Sequence, residues 1–219
     1  GGHAEGLLEG EWAGPDRVVI RDWGGEVSLW DLTTPARKLR WSHADTIHTL
    51  RYNADGTFDT SYSGDGFHIF ALAGGDSNSG GFPGVLPSGR IVVSGPVEGG
   101  HDDNVLIQAT TASGAVDGGF GTSGVVIDDL DPGSATDAQQ MRDMTVDGSG
   151  RILAVGGMKT TSSGTSESCL IVRYLPDGTR DASFGTSSGF SLLNAPGYSD
   201  TDRCEGVDVR ASDGKILLC

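Results

Sequence analysis

One phrase occurs three times in this chain, and its spacing limits what the chain can fold into. The clearest copy runs over residues 168–189, SCLIVRYLPDGTRDASFGTSSG. An apolar run, Leu170-Ile171-Val172, precedes Arg173-Tyr174. A turn signal follows at Pro176-Asp177-Gly178, then Asp181 and Ser183-Phe184-Gly185. Residues 48–66 (HTLRYNADGTFDTSYSGDG) repeat it, and residues 105–124 (VLIQATTASGAVDGGFGTSG) carry a more divergent copy. The turn glycines Gly56, Gly114 and Gly178 recur at steps of 58 and 64, and Asp59, Asp117 and Asp181 keep the same steps.

A second phrase lies between the copies: a turn, a glycine, a basic residue and an apolar run. It reads PSGRIVVSG at 87–95, GSGRILAVGG at 148–157 and SDGKILLC at 212–219. A weaker first copy is GPDRVVIRDW at 14–23. Two phrases sharing one period mark a supersecondary unit that stacks on its neighbours. The expected units are 1–76, 77–133, 134–198 and a partial 199–219, about three and a half repeats in a single repeat domain. The first unit holds an insertion of about a dozen residues or is a divergent unit, since its basic residue lies further from the next than later steps allow.

Apolar runs of three to six residues separated by glycine-rich turns point to strands, and the 36 glycines among 219 residues suit many tight turns. The longest amphipathic window, 135–144, is short for a helix. The fold class expected is all-β, a β-propeller-like array of antiparallel four-stranded blades that stops inside its fourth unit. Its last run, Ile216-Leu217-Leu218, would be a buried strand in need of an outer partner. A longer protein, or another chain, is expected to complete it.

The phrase RY-x-x-DG-x-x-D-x-SFG, alternating with DG-(K/R)-I-L, resembles the delta-60 repeat family. Arg173-Tyr174, Asp177-Gly178, Asp181 and Ser183-Phe184-Gly185 carry the likeness, as do Arg51-Tyr52, Asp55-Gly56 and Asp59. The middle copy departs from it, with Ala109-Thr110 in place of Arg-Tyr and Ser113 in place of Asp. The resemblance implies propeller-type blades in bacterial, often secreted or surface, repeat proteins, and brings no catalytic residues with it. Trp30-Asp31 is similar to the WD dipeptide of propeller blades.

Physical chemistry assigns the phrase to structure. Gly56, Gly114 and Gly178 can take φ > 0 after the turn's polar residue (Asp55, Ser113 and Asp177), and Asp59, Asp117 and Asp181 can accept N–H bonds from the next turn. Phe120, Phe184 and Tyr62 are expected between neighbouring blades.

Candidate sites are few. Asp55/Asp59 and Asp177/Asp181 are carboxylates four apart, without the denser ligand run that calcium favours. Asp128, Asp129 and Asp131 form a more oxygen-rich loop, the metal candidate here; calcium is the one cofactor considered. His43, Asp45 and His48, and His101 beside Asp102 and Asp103, are weaker, because an odd spacing puts His43 and His48 on opposite faces of a strand. Gly75-Asp76-Ser77 resembles the start of a serine nucleophile motif but continues Asn78-Ser79, and no G-x-S-x-G elbow is present. Of the three cysteines, Cys204 and Cys219 flank the 211–214 turn and are the disulfide expected, leaving Cys169 as a buried or unpaired thiol.

The formal net charge of −15 opposes binding to nucleic acid, and no run reaches the roughly 20 apolar residues of a membrane helix. The function expected is that of a non-catalytic structural or interaction protein, and the resemblance implies an extracytoplasmic scaffold, secreted, periplasmic or at the cell surface. It would bind a protein partner or larger assembly through loops at 74–81, 98–104, 128–137 and 158–167 and through the open edge. The alternatives are a propeller-type hydrolase or lyase with a site at a central channel, and a calcium- or glycan-binding module.

Overall fold

The computed structural model describes residues 7–12, 17–22, 26–31, 36–42, 49–51, 53, 57, 59–68, 82–96, 104–130, 139–159, 167–194 and 202–219. For the strands before residue 51 the backbone alone is described. Every element is a β-strand, every strand pairing is antiparallel, and no helix occurs among the described residues. The chain divides into two compact units, 1–69 and 70–219.

In the first unit, β1 (Leu7–Trp12), β2 (Arg17–Asp22), β3 (Glu26–Asp31) and β4 (Ala36–Ser42) form a four-stranded meander in sequence order. Their sequences are LLEGEW, RVVIRD, EVSLWD and ARKLRWS, and Val19 pairs with Leu29 and Leu29 with Leu39 across the sheet. A two-stranded sheet follows, β5 (Thr49–Leu50) with β6 (Phe67–His68). The first expected repeat, 1–76, therefore contains two separate sheets.

The second unit holds three sheets. The first is β7 (Phe82–Val85), β8 (Ile91–Pro96), β9 (Val105–Thr110) and β10 (Val125–Asp128), again neighbours in chain order. The next is β11 (Gln139–Val146), β12 (Ile152–Lys159), β13 (Glu167–Tyr174) and β14 (Phe190–Leu193). The last is a pair, β15 (Val207–Val209) and β16 (Ile216–Leu218).

Side-chain parity explains the stacking. Alternate residues of a strand face opposite sides of its sheet. Ile152, Ala154 and Met158 on β12, with Leu170, Val172 and Tyr174 on β13, join a core shared with Val92, Val105 and Ile107 of the β7–β10 sheet. The intervening residues Leu153, Val155, Cys169 and Ile171 join a second core with Cys204 and Val207, on the side of β15–β16. The β11–β14 sheet is thus covered on both faces, so its central strands are unbroken apolar runs. Burying each Leu, Ile or Val of this kind contributes about 1.5–3 kcal/mol. The close approach of β11 to β12 depends on Gly156. A Cβ there would lie 1.8 Å from the Gln140 carbonyl oxygen, beside the bulge between Met141 and Asp143.

The disulfide differs from the sequence expectation. Cys169 of β13 bonds Cys204, with Cα atoms 5.0 Å apart, and Cys219 is free and exposed. Register is the reason. Val207 pairs with Leu218, so Gly206 stands opposite Cys219, and the Cys219 N–H donates to the Gly206 carbonyl at 3.1 Å. Cys204 precedes this ladder, and its sulfur turns into the core beneath β13 instead.

Candidate functional site

The three copies of the opening phrase share one backbone circuit. In the last copy, the Arg173 N–H donates to the Gly189 carbonyl, Asp181 N–H to Arg173, and Phe184 N–H to Asp181. The middle copy makes the same bonds from Ala109 to Gly124, Asp117 to Ala109 and Phe120 to Asp117. The first makes them from Arg51 to Gly66, Asp59 to Arg51 and Tyr62 to Asp59. Gly114 and Gly178 both adopt φ +87°, which suits a residue without Cβ. Asp55, Gly56 and Asp131 lie outside the described residues, as do His43, Asp45, His48, His101, Asp102, Asp103 and the 75–79 motif.

Each circuit is closed by an aspartate, an arginine and an aromatic ring. Asp181 accepts from Arg173 Nε at 2.8 Å and from the Ser183 N–H and hydroxyl, while the Arg173 guanidinium stacks 4.4 Å from the Phe184 centroid. The Ser183 hydroxyl first, and Arg173 after it, hold the Asp181 carboxyl below its ordinary value. In the first copy Arg51 lies 3.5 Å from Asp59 and over the Tyr62 ring. The Asp59 carboxyl is held low chiefly by the Ser61 hydroxyl. The middle copy has Ala109 where the others have arginine, and Arg90, from the turn before β8, fills the place. Its Nε donates to Asp117 at 2.7 Å and its guanidinium lies 5.6 Å from the Phe120 ring. That bond holds the Asp117 carboxyl below its ordinary value. The equivalent Arg151 is tied to Asp147 within its own turn, at 2.6 Å. Leu86 replaces that aspartate in the middle copy, which leaves Arg90 to reach Asp117.

A second cluster joins one sheet to the next. The turn at 176–180 seats on the β7–β10 sheet, where the Gly121 N–H donates to the Asp177 carbonyl at 2.8 Å. Gly178 allows this approach, since a Cβ there would lie 2.9 Å from Val126 Cγ2 and 3.0 Å from Gly121 N. Asp177 itself accepts the Thr179 N–H at 2.9 Å, which lowers its pKa. Beside the turn an open groove of about 720 Å³ runs along β10. Asp128 sits in it with both carboxylate oxygens engaged: Arg180 forms a fork with them, and the Tyr174 hydroxyl donates at 2.8 Å. Tyr174 is fully buried, and burial, then Asp128, pushes its phenol well above the ordinary value. The phenol and the arginine-paired carboxylate make a tether between the two sheets. The pairing engages both oxygens of Asp128, the metal candidate of the sequence. Among the described residues no three His, Cys, Asp or Glu side chains are grouped to hold a metal ion. Asp129 lies beyond β10, within 3.5 Å of the Gln139 amide.

Sequence reasoning missed Arg90, Asp128–Arg180–Tyr174 and Asp147 as structural pairs. The absence of arginine at 109 was the signal for Arg90; nothing in local spacing joins residues 128 and 180.

A family model described as a domain of unknown function (DUF5122) beta-propeller matches residues 44–62 and 148–184. The matched segments contain the arginine, aspartate and aromatic residues of the first and last circuits, with the β12–β13 hairpin. Together with antiparallel four-stranded sheets stacked face to face, the match supports a β-propeller-type repeat family. No curated protein matches the chain.

Proposed function

We propose that this chain is a non-catalytic scaffold of propeller-type blades of the delta-60 kind, about three and a half within its 219 residues, that holds a protein partner or larger assembly through its loops. The observation that carries this reading is where the reactive side chains go. Asp117, Asp128, Asp147 and Asp181 are each paired with an arginine, the first, third and fourth within their own repeat and Asp128 between two sheets, so these carboxylates are committed to holding structure. What varies between repeats is the loops, the usual place for recognition on a rigid frame. The Cys169–Cys204 disulfide supports an oxidising, extracytoplasmic setting.

The test is the native mass of the protein as isolated from its source under gentle conditions. An assembly heavier than the same protein's denatured chain, which dissociates when loop residues of 98–104 or 158–167 are replaced, is the expected result. A homogeneous, uncomplexed chain of that mass would refute the reading. No helix among the described residues is long and apolar enough to cross a membrane.

A further inference from the structure

We propose that Arg142, on β11, binds the carboxylate of a small anionic ligand. The inference is separate from the scaffold reading, which concerns the loops.

Pairing supplies the argument. Among the residues whose side chains are described, every other arginine and lysine stands against an aspartate or glutamate. Arg142 forms no such pair among them, although the chain carries 30 acidic side chains against 15 basic ones. The other arginines show which edge is concerned. Arg173, Arg180 and Arg210 each turn Nε and Nη2 toward a single carboxylate. On Arg142, Nη2 donates to Gln140 Oε1 at 3.0 Å, while Nε is buried without a partner among the described residues. A neutral carboxamide thus takes half of a fork whose geometry fits a carboxylate.

The backbone explains why this side chain stands apart. Met141 pairs with Gly156 and Asp143 with Val155, so Arg142 is the extra residue of the β11 bulge. A bulge re-aims the side chain it carries, and bulges are over-represented next to active sites. β11 lies against both β7 and β15, and Arg142 is the one basic residue of these three strands. The adjacent carboxylate is engaged elsewhere: Asp143 accepts the Met144 N–H at 2.8 Å and the Val207 N–H at 2.7 Å. A ligand carboxylate that displaces the Gln140 amide replaces one neutral acceptor with two charged ones, and charge-assisted bonds are about twice as strong as neutral ones. The net charge of −15 disfavours polyanions, which selects a small ligand with a single carboxylate.

The probe is sodium acetate, titrated into the 219-residue chain, with sodium chloride at equal ionic strength as the control. The readout is the NMR signal of the Arg142 Nε–H, assigned by its loss in Arg142→Lys. A saturable shift with acetate that chloride does not reproduce is expected. Arg142→Lys keeps the charge and loses the fork, so acetate should move the backbone amides of 140–143 with about tenfold weaker affinity. Gln140→Glu puts a carboxylate of the chain itself at that edge and should weaken acetate by about tenfold or more. Should either variant not fold, the titration of the unaltered chain decides. A response shared with chloride, no saturable response, undiminished affinity in either variant, or tighter binding of inorganic phosphate than of acetate would each overturn the inference. The native mass and the loop variants do not enter this measurement, so the scaffold reading stands or falls without it.

Discussion

The Cys169–Cys204 bond closes a loop of 35 residues and links β13 to the segment that enters β15. In the chain-entropy treatment such a loop removes about 12.7 cal/mol/K from the unfolded ensemble, or about 3.8 kcal/mol at 25 °C. The other attachments of β15–β16 are modest. The Val207 N–H donates to Asp143 at 2.7 Å, and the apolar contacts come from Val207, with Val209 and Ile216 partly buried. Replacing both cysteines by alanine should therefore free this pair before the rest of the unit. Hydrogen exchange is the suitable assay, because it reads β15–β16 and β12–β13 separately. Amides of 207–209 should exchange up to several hundred times faster, the ratio that 3.8 kcal/mol represents, with β12–β13 much less affected. Non-reducing peptide mapping supplies the companion test: Cys169 and Cys204 in one cross-linked product, and Cys219 open to alkylation. Recovery of a Cys204–Cys219 peptide, or exchange at 207–209 unchanged by the double substitution, would refute the reasoning.

Other substitutions probe the blades. Gly156→Ala places a methyl 1.8 Å from a backbone oxygen and should cost about 1–3 kcal/mol or prevent folding, read by urea unfolding. Tyr174→Phe removes a buried donor to Asp128, while Arg180 still pairs with that carboxylate; a loss of about 1.5–3 kcal/mol is expected, and a neutral effect would show that the tether is idle. Arg90→Ala should destabilise the second unit and Ala109→Arg should partly restore it, because arginine at 51 and 173 serves the same aspartate; absence of rescue in the double variant would count against equivalence of the circuits. Asp59, Asp117, Asp177 and Asp181 all titrate below the ordinary carboxylate value when folded. Their contribution is complete above the unfolded pKa, near ~4, and is lost as pH falls through the lower folded values. Thermal stability should thus hold from pH 7 to about 5 and decline below about 4, with a shallower decline in Asp117→Asn.

The strands were legible because local chemistry places them. Each apolar run bounded by glycine turns became a strand, and the shared spacing of Gly114 and Gly178 became a shared φ. The disulfide was harder to read, because it depends on a hairpin register that shifts Cys219's partner from Cys204 to Gly206, and on a sulfur that reaches a neighbouring sheet. Asp128 shows the same limit. Its sequence context is an acidic loop, which suggests a cation, but its environment is set by Arg180, brought there by stacking. Pairing across sheets leaves no local trace when the partners lie 52 residues apart.

The middle copy makes the same circuit with different residues. Its sequence has lost the arginine, the tyrosine and the turn aspartate, yet the backbone circuit from Ala109 to Gly124 is intact. The guanidinium that Asp117 needs comes from Arg90, which is available because Leu86 has replaced the aspartate that holds Arg151 in the next repeat. Two departures from the repeat pattern, at 86 and 109, therefore offset each other through one side chain. What is kept is a cation between a carboxylate and an aromatic ring, whichever strand provides it. A repeat that can supply that cation from either of two positions tolerates sequence divergence while its sheets remain stackable, and its loops are then left to differ from one blade to the next.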